Sequence, residues 1–284
     1  MSSPPAPEPA PPVSPRRELL LRTASAVVLA AVALAAVWIG GWAFALLAVV
    51  AGIVASWEWG RVVRGNEIDA LLVLHAVIVV AAVLVSAAGY ALPAAIALIV
   101  GSIVLLVLRS RANGVLTGLG VAAVGLPAVG IVWLRGDSML GMEAVLFLFG
   151  AVWATDVAAF AVGRTLGGPR LWPAVSPAKT WSGAIGGLAA GLLAGVVASY
   201  ALGLPEPMWL ALLGLGLALA AEIGDMSESA LKRRFDRKDA SNIIPGHGGL
   251  LDRVDGLLAA SLLAAVVAML RDPMHPAAGL LLWR

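Results

Sequence analysis

Residues 224–256 concentrate charge in a chain that is otherwise strongly apolar. Hydrophobic residues make up 61% of the 284 positions, yet these 33 residues hold six of the seventeen acids and six of the nineteen Lys and Arg. The acids are Asp225, Glu228, Asp236, Asp239, Asp252 and Asp255, and the bases are Lys232, Arg233, Arg234, Arg237, Lys238 and Arg253. Such crowding of opposite charges indicates a polar site between apolar segments.

The spacing in this stretch predicts two helices separated by a loop. In a helix from residue 224 to about 235, Asp225, Ser229 and Lys232 share one face. Residues 236–249 should leave the helix, because they combine turn-forming residues with a Pro-Gly-His-Gly-Gly run. A second helix from Leu250 would carry Asp252 and Asp255 on one face of its first turns.

This combination of side chains favours phosphoryl or nucleotidyl transfer. Paired carboxylates without cysteine favour Mg²⁺, which is usually held by one or two carboxylates together with substrate phosphates. Basic residues and free backbone N–H groups of a Gly-rich loop suit a polyphosphate. The alternative is a basic loop that fixes membrane topology and touches anionic lipid head groups.

The motif Ser229-x-x-Lys232-Arg233, Lys238-Asp239 and Pro245-Gly-His-Gly-Gly-x-x-Asp252-Arg253-x-Asp255 resembles the signature of the phosphatidate cytidylyltransferase family, also called CDP-diglyceride synthases. The resemblance extends upstream to Asp156, to Gly163-Arg164 and to Ser176-Pro-x-Lys179-Thr180-Trp181-x-Gly183. Ser182 departs from the acid or amide expected after the tryptophan, so no role is assigned to it.

The resemblance implies transfer of a cytidylyl group from CTP to phosphatidic acid with release of pyrophosphate. Asp225 and Asp252 are predicted ligands of one or two Mg²⁺ ions, Asp255 would complete their shell, and the need for a monovalent cation stays open. Lys232 is also predicted to be catalytic, and His247 to donate to a phosphate oxygen or to hold the loop. The remaining predicted substrate-binding residues are Ser229, Arg233, Lys238, Asp239, Gly248, Gly249, Arg253, Ser176, Lys179, Thr180, Arg164 and Asp156.

Composition predicts an all-α polytopic membrane protein. Mean hydropathy is +0.95 and only 13% of residues are charged, and apolar runs recur at membrane-spanning length. Nine spans are predicted, at about 23–39, 42–57, 70–89, 91–108, 115–134, 140–163, 182–203, 208–224 and 252–270. These divide the chain into a disordered Pro-rich tail (1–20), N-terminal membrane helices (21–139) and a C-terminal catalytic region (140–284).

The distribution of Lys and Arg predicts the orientation in the membrane. Sixteen of the nineteen fall on the N-terminal tail and the even-numbered connections, which leaves Arg135, Arg271 and Arg284 on the other side. The positive-inside rule then places the N-terminus and the active site in the cytosol. We expect a multi-pass protein of the plasma (inner) membrane of a prokaryote.

Other functions are consistent with parts of the pattern. A CTP-dependent transferase or kinase acting on another lipid is the nearest alternative, and an ion-coupled transporter using Asp156, Glu222 and Asp225 is an alternative of another class. A net charge of +2 gives no reason to expect nucleic acid as a partner. The expected partners are CTP, phosphatidic acid and membrane lipids, with formation of a homodimer left open.

Overall fold

The protein is almost entirely helical. The computed structural model describes residues 15–65, 68–108, 113–244 and 248–282. The helices are α1 (Pro15–Ile39), α2 (Gly41–Arg64), α3 (Ala70–Ala87), α4 (Ala91–Leu108), α5 (Gly114–Arg135), α6 (Gly141–Leu166), α7 (Trp181–Leu202), α8 (Pro207–Arg234), α9 (Leu251–Arg271) and α10 (Pro276–Leu281). One antiparallel hairpin, β1 (Arg170–Trp172) and β2 (Ser176–Thr180), lies between α6 and α7.

Eight of the described helices, α2 to α9, are long and apolar enough to cross a membrane. This confirms the polytopic all-α class. The first predicted span falls in α1, where Thr23–Ile39 is a shorter apolar helix, so the count of nine stays a prediction. Helix α1 begins at Pro15, inside the segment 1–20 assigned to the tail, and residues 1–14 lie outside the described part of the chain.

Helix α8 extends ten residues beyond the predicted end of its span at 224. The added turns carry Asp225, Ser229 and Lys232, so the membrane-spanning helix itself projects the polar face of the charged stretch. A helix need not end where its apolar residues end, because its backbone hydrogen bonds are satisfied internally.

Small residues allow α6, α7 and α8 to pack closely. Gly183, Gly187, Gly191 and Gly195 are buried along one face of α7, as the small-xxx-small spacing predicts. At Gly195 an added Cβ would overlap the backbone carbonyl of Leu210 on α8. Nearer the hairpin, Gly187 lies against Glu222, so the antiparallel packing of α7 and α8 brings the hairpin, which precedes α7, alongside the charged end of α8.

The Gly195→Ala variant is expected to lower the apparent Tm by about 5 °C or more, since the methyl group forces two helix backbones apart. Gly216→Ala on α8 is the matched control, because an added Cβ there would only touch Leu263 at 3.7 Å. Alanine at 216 should keep or raise Tm, given its higher helix propensity. Thermal unfolding in detergent measures both, and equal Tm values for the two variants would contradict the packing argument.

The helix ends fall into two groups. Asn113, just before α5, donates to the carbonyl of Val63 near the end of α2, and Arg233 near the end of α8 donates to Val175 in the hairpin. At the opposite ends, Arg135 at the end of α5 donates to Val37 near the end of α1. The first of these groups includes the end of α8, which carries the charged stretch, so the candidate site residues gather at that end of the bundle.

Candidate active site

The last turns of α8 present the predicted polar face. Ser229 Oγ donates to Asp225 Oδ1 at 3.4 Å, one helical turn apart. Lys232 Nζ lies 2.5 Å from Glu228 Oε2 and 2.5 Å from Asp252 Oδ1. The ammonium of Lys232 thus joins α8 to α9, and its side chain is only 12% exposed.

Asp252, in the first turn of α9, binds both ends of the loop that precedes it. Besides Lys232, its carboxylate accepts the N–H of Gly249 at 2.8 Å and the N–H of Ala240 at 3.0 Å. The side chain is 6% exposed. The structure therefore gives Asp252 a loop-fixing role, and its predicted role as a metal ligand stays a prediction.

A second buried carboxylate reaches the same loop from the N-terminal half of the chain. Glu58 of α2 is fully buried and accepts the N–H groups of Leu250 at 2.9 Å and Leu251 at 2.6 Å. It also accepts the hydroxyl of Ser241 at 2.5 Å. The N-terminus of α9 is therefore held by α2, in a region that the sequence identified only as membrane helices.

The hairpin contributes a cation to the site. Lys179 Nζ on β2 lies 2.6 Å from Asp225 Oδ2 on α8, and both side chains are partly exposed. Arg233 Nε donates to the carbonyl of Val175 at 3.3 Å, which fixes the hairpin turn against the end of α8. The segment 176–180 and the end of α8, predicted separately from the sequence, thus form one surface.

Four acidic side chains form a cluster beside Lys179. Asp156 interacts electrostatically with Asp225 and Asp255, and Glu222 interacts with Asp156 and Asp225. Asp156 also interacts electrostatically with two cations, Lys179 and Arg253. The four carboxylates from α6, α8 and α9 form the acidic cluster, and they adjoin a basic cluster that includes Lys179 and Arg253.

The donor chemistry of this cluster fits Mg²⁺. The four acidic side chains offer carboxylate oxygens, and Oε1 of Glu222 is buried with no hydrogen-bond partner in the described part of the chain. Within the same residues, no three His or carboxylate groups are placed so that together they could hold a metal ion. This arrangement suits an ion that takes part of its shell from substrate phosphates and water.

Other predicted site residues lie around this centre. Thr180 is buried and caps α7 by accepting the N–H of Gly183 at 3.1 Å, so its hydroxyl has a structural partner. Gly248 has a φ of +82° and faces Asp252 and Asp239, where a Cβ would lie 3.0 Å from Asp252 Oδ2. Exposed residues at the edge are Arg164, Arg233, Lys238, Asp239 and Arg253, with Ser176 half-buried on β2. His247 lies outside the described residues.

Sequence reasoning missed Glu58 as a site residue and gave Glu228 no role, although Glu228 is buried against Lys232. A signal for Glu58 was present, because it directly follows the predicted span 42–57, and a carboxylate at membrane depth is a functional hypothesis in itself. What the sequence lacked was the partner, which lies about 190 residues further along the chain.

Comparison with known proteins identifies the family of this chain. The model of the cytidylyltransferase family matches residues 20–270. Phosphatidate cytidylyltransferase of Brucella suis biovar 1 (strain 1330) is 38% identical over 263 residues, which covers 92% of this chain and 97% of that protein. Phosphatidate cytidylyltransferase of Bacillus subtilis (strain 168) is 40% identical over 126 residues, or 44% of this chain and 47% of that protein. The chain is therefore a nucleotidyltransferase that belongs to the cytidylyltransferase family.

Proposed function

We propose that this protein transfers the cytidylyl group of CTP to phosphatidate, giving CDP-diacylglycerol and pyrophosphate. The observation that carries the proposal is the meeting of an acidic cluster and a basic cluster, from α6, the hairpin, α8 and α9, at one end of a membrane-helix bundle. The likeness to phosphatidate cytidylyltransferases over nearly the whole chain supports the choice of substrates.

The reaction needs no nucleophile from the protein. A phosphate oxygen of phosphatidate attacks the α-phosphorus of CTP, the bond from that phosphorus to the bridging oxygen breaks, and pyrophosphate leaves with the electron pair. Catalysis then consists of placing the two phosphates together and neutralising the charge that grows on the leaving group. The site must therefore hold cations close to two anionic substrates.

The residues divide into two groups by charge. Lys179, Arg233 and Lys238 would contact the phosphates of CTP, and Arg253 the phosphate of the lipid. Lys232, enclosed by Glu228 and Asp252, would place its charge beside the loop that binds the triphosphate. Asp239 would support that loop from its exposed side.

Asp225 and Asp255 would hold Mg²⁺, with Asp156 and Glu222 adding negative charge. When bound, the ion would neutralise substrate phosphate charge and favour departure of pyrophosphate. Asp252 would join the ligands of Mg²⁺ only if its carboxylate gave up part of its hydrogen bonding to the N–H groups of Gly249 and Ala240. Ser229 would hold a water molecule or a phosphate oxygen beside Asp225.

The setting of the site suits one substrate from water and one from lipid. Asp156 and Glu222 lie on helices that cross the membrane, whereas the hairpin and residues 235–244 and 248–250 lie outside them. We propose that this end faces the cytosol of a prokaryote whose inner membrane holds the protein, as the distribution of Lys and Arg predicts.

Turnover of CTP by the purified protein in detergent with phosphatidic acid tests the proposal. With Mg²⁺ present, we expect equal amounts of pyrophosphate and CDP-diacylglycerol, and at least a hundredfold less of both when the metal is chelated. Folded protein that forms neither product, while it acts on another lipid phosphate, would contradict the substrate assignment.

A further inference from the structure

Glu58 lies far in sequence from the charged stretch, yet it is a fully buried carboxylate at the site. Burying a carboxylate is costly unless hydrogen bonds replace its water. Glu58 accepts three such bonds, and all three donors lie in the segment 241–251. The three hydrogen bonds therefore tie the Glu58 side chain to Ser241, Leu250 and Leu251.

The bonds to Leu250 and Leu251 cap α9 from outside its own sequence. Leu250, at the N-cap position, makes no side-chain capping bond, so the first amides of α9 depend on another acceptor. A carboxylate at a helix N-terminus also interacts favourably with the helix dipole. Glu58 thus fixes the start of the helix that carries Asp252 and Asp255.

The bond from Ser241 fixes the other end of the same segment. Ser241 donates to Glu58 and accepts the N–H of Ile243 at 3.2 Å, and the N–H of the preceding residue, Ala240, binds Asp252. Glu58 and Asp252 therefore hold residues 240–244 and 248–251 from two sides. Gly249 lies between them, where a Cβ would come within 2.7 Å of Glu58 Oε1 and 3.0 Å of Asp252 Oδ2.

We infer that Glu58, although it lies in the N-terminal half, is a positioning residue for CTP: it holds residues 240–244 and 248–251 in the conformation that binding of the triphosphate requires. This inference rests on the proposed function. Because Glu58 acts through Leu250, Leu251 and Ser241, its loss should weaken binding of CTP more than binding of the lipid.

The test compares Glu58→Gln with Asp137→Asn. Asp137 is a buried carboxylate at the opposite ends of the helices, and it accepts the N–H groups of Met139 at 2.8 Å and Ala277 at 3.0 Å. Both variants exchange a buried carboxylate for an amide of similar shape, but only Glu58→Gln changes contacts with residues 240–244 and 248–251. Apparent KM for CTP and for phosphatidate, kcat, and amide hydrogen exchange are measured for wild type and both variants.

For Glu58→Gln we expect apparent KM for CTP to rise at least fivefold, KM for phosphatidate to change less than twofold, and exchange to quicken at 240–244 and 248–253. Asp137→Asn should leave both KM values and that exchange unchanged. If Glu58→Gln is not recovered folded, Ser241→Ala replaces it, with a rise in KM for CTP of about twofold or more.

Unchanged exchange at 240–253, or an unchanged KM for CTP, would overturn the inference. Hydrogen exchange needs no turnover, so it reports on the segment even if the substrates are misassigned. An inactive wild type would count against the proposed function alone, whereas an active wild type with an unaffected Glu58→Gln variant would count against the inference alone.

Discussion

Replacing Asp225 with asparagine should lower cytidylyl transfer by about a hundredfold or more. The amide keeps the size of the side chain and an acceptor oxygen for Ser229, so the helix should form normally. It removes the charge that faces Lys179 at 2.6 Å and that would hold Mg²⁺. Initial rates at saturating CTP and phosphatidate, with a Mg²⁺ titration, measure the effect.

Asp236→Asn is the matched control for the loss of one negative charge. Asp236 is exposed just after α8 and has a φ of +52°, a conformation that asparagine also adopts readily. Its turnover should stay within twofold of wild type. Full activity of folded Asp225→Asn at limiting Mg²⁺ would remove Asp225 from the metal site.

Replacing Lys232 with alanine should raise apparent KM for CTP and cut turnover by about a hundredfold, and it should also destabilise the fold. Removal of the ammonium leaves Glu228 and Asp252 buried without their shared cation. Loss of one partner from a buried ion pair typically costs about 3–5 kcal/mol. Kinetics and thermal unfolding of the purified variant measure the two effects.

A double variant separates the two effects of Lys232→Ala. Adding Asp252→Asn removes one of the unpaired charges, so stability should recover in part while activity does not. Arg234→Ala, an exposed neighbour on α8, is the control and should behave like wild type. Unchanged KM and rate in Lys232→Ala would leave this lysine with a structural role alone, as the cation between Glu228 and Asp252.

Local pattern predicted the parts of the site that depend on a single helix. The spacing of Asp225, Ser229 and Lys232 predicted one helical face, and the hydrogen bond from Ser229 to Asp225 confirms it for the first two. The Gly spacing in 183–195 predicted a packing surface that α7 does form. The family assignment made from the motif is confirmed by the match over residues 20–270.

The sequence did not predict which residues from distant parts of the chain contact each other, because apolar patterns do not specify which helices pack together. Lys232 was predicted to be catalytic, but the sequence did not indicate its partners on the protein, which are Glu228 and Asp252. Thr180 was predicted to bind substrate, and in the structure it caps α7. The division at residue 139 also separates Glu58 from the segment it holds, so the contacts of the site cross that boundary.

Tracing the phosphates of CTP tests the central claim most directly. With purified protein, Mg²⁺ and phosphatidic acid, label in the α-phosphate should enter the lipid, and label in the γ-phosphate should leave in pyrophosphate. That partition requires attack at the α-phosphorus. Transfer of the γ-label to lipid with release of CDP would identify a CTP-dependent lipid kinase and contradict cytidylyl transfer.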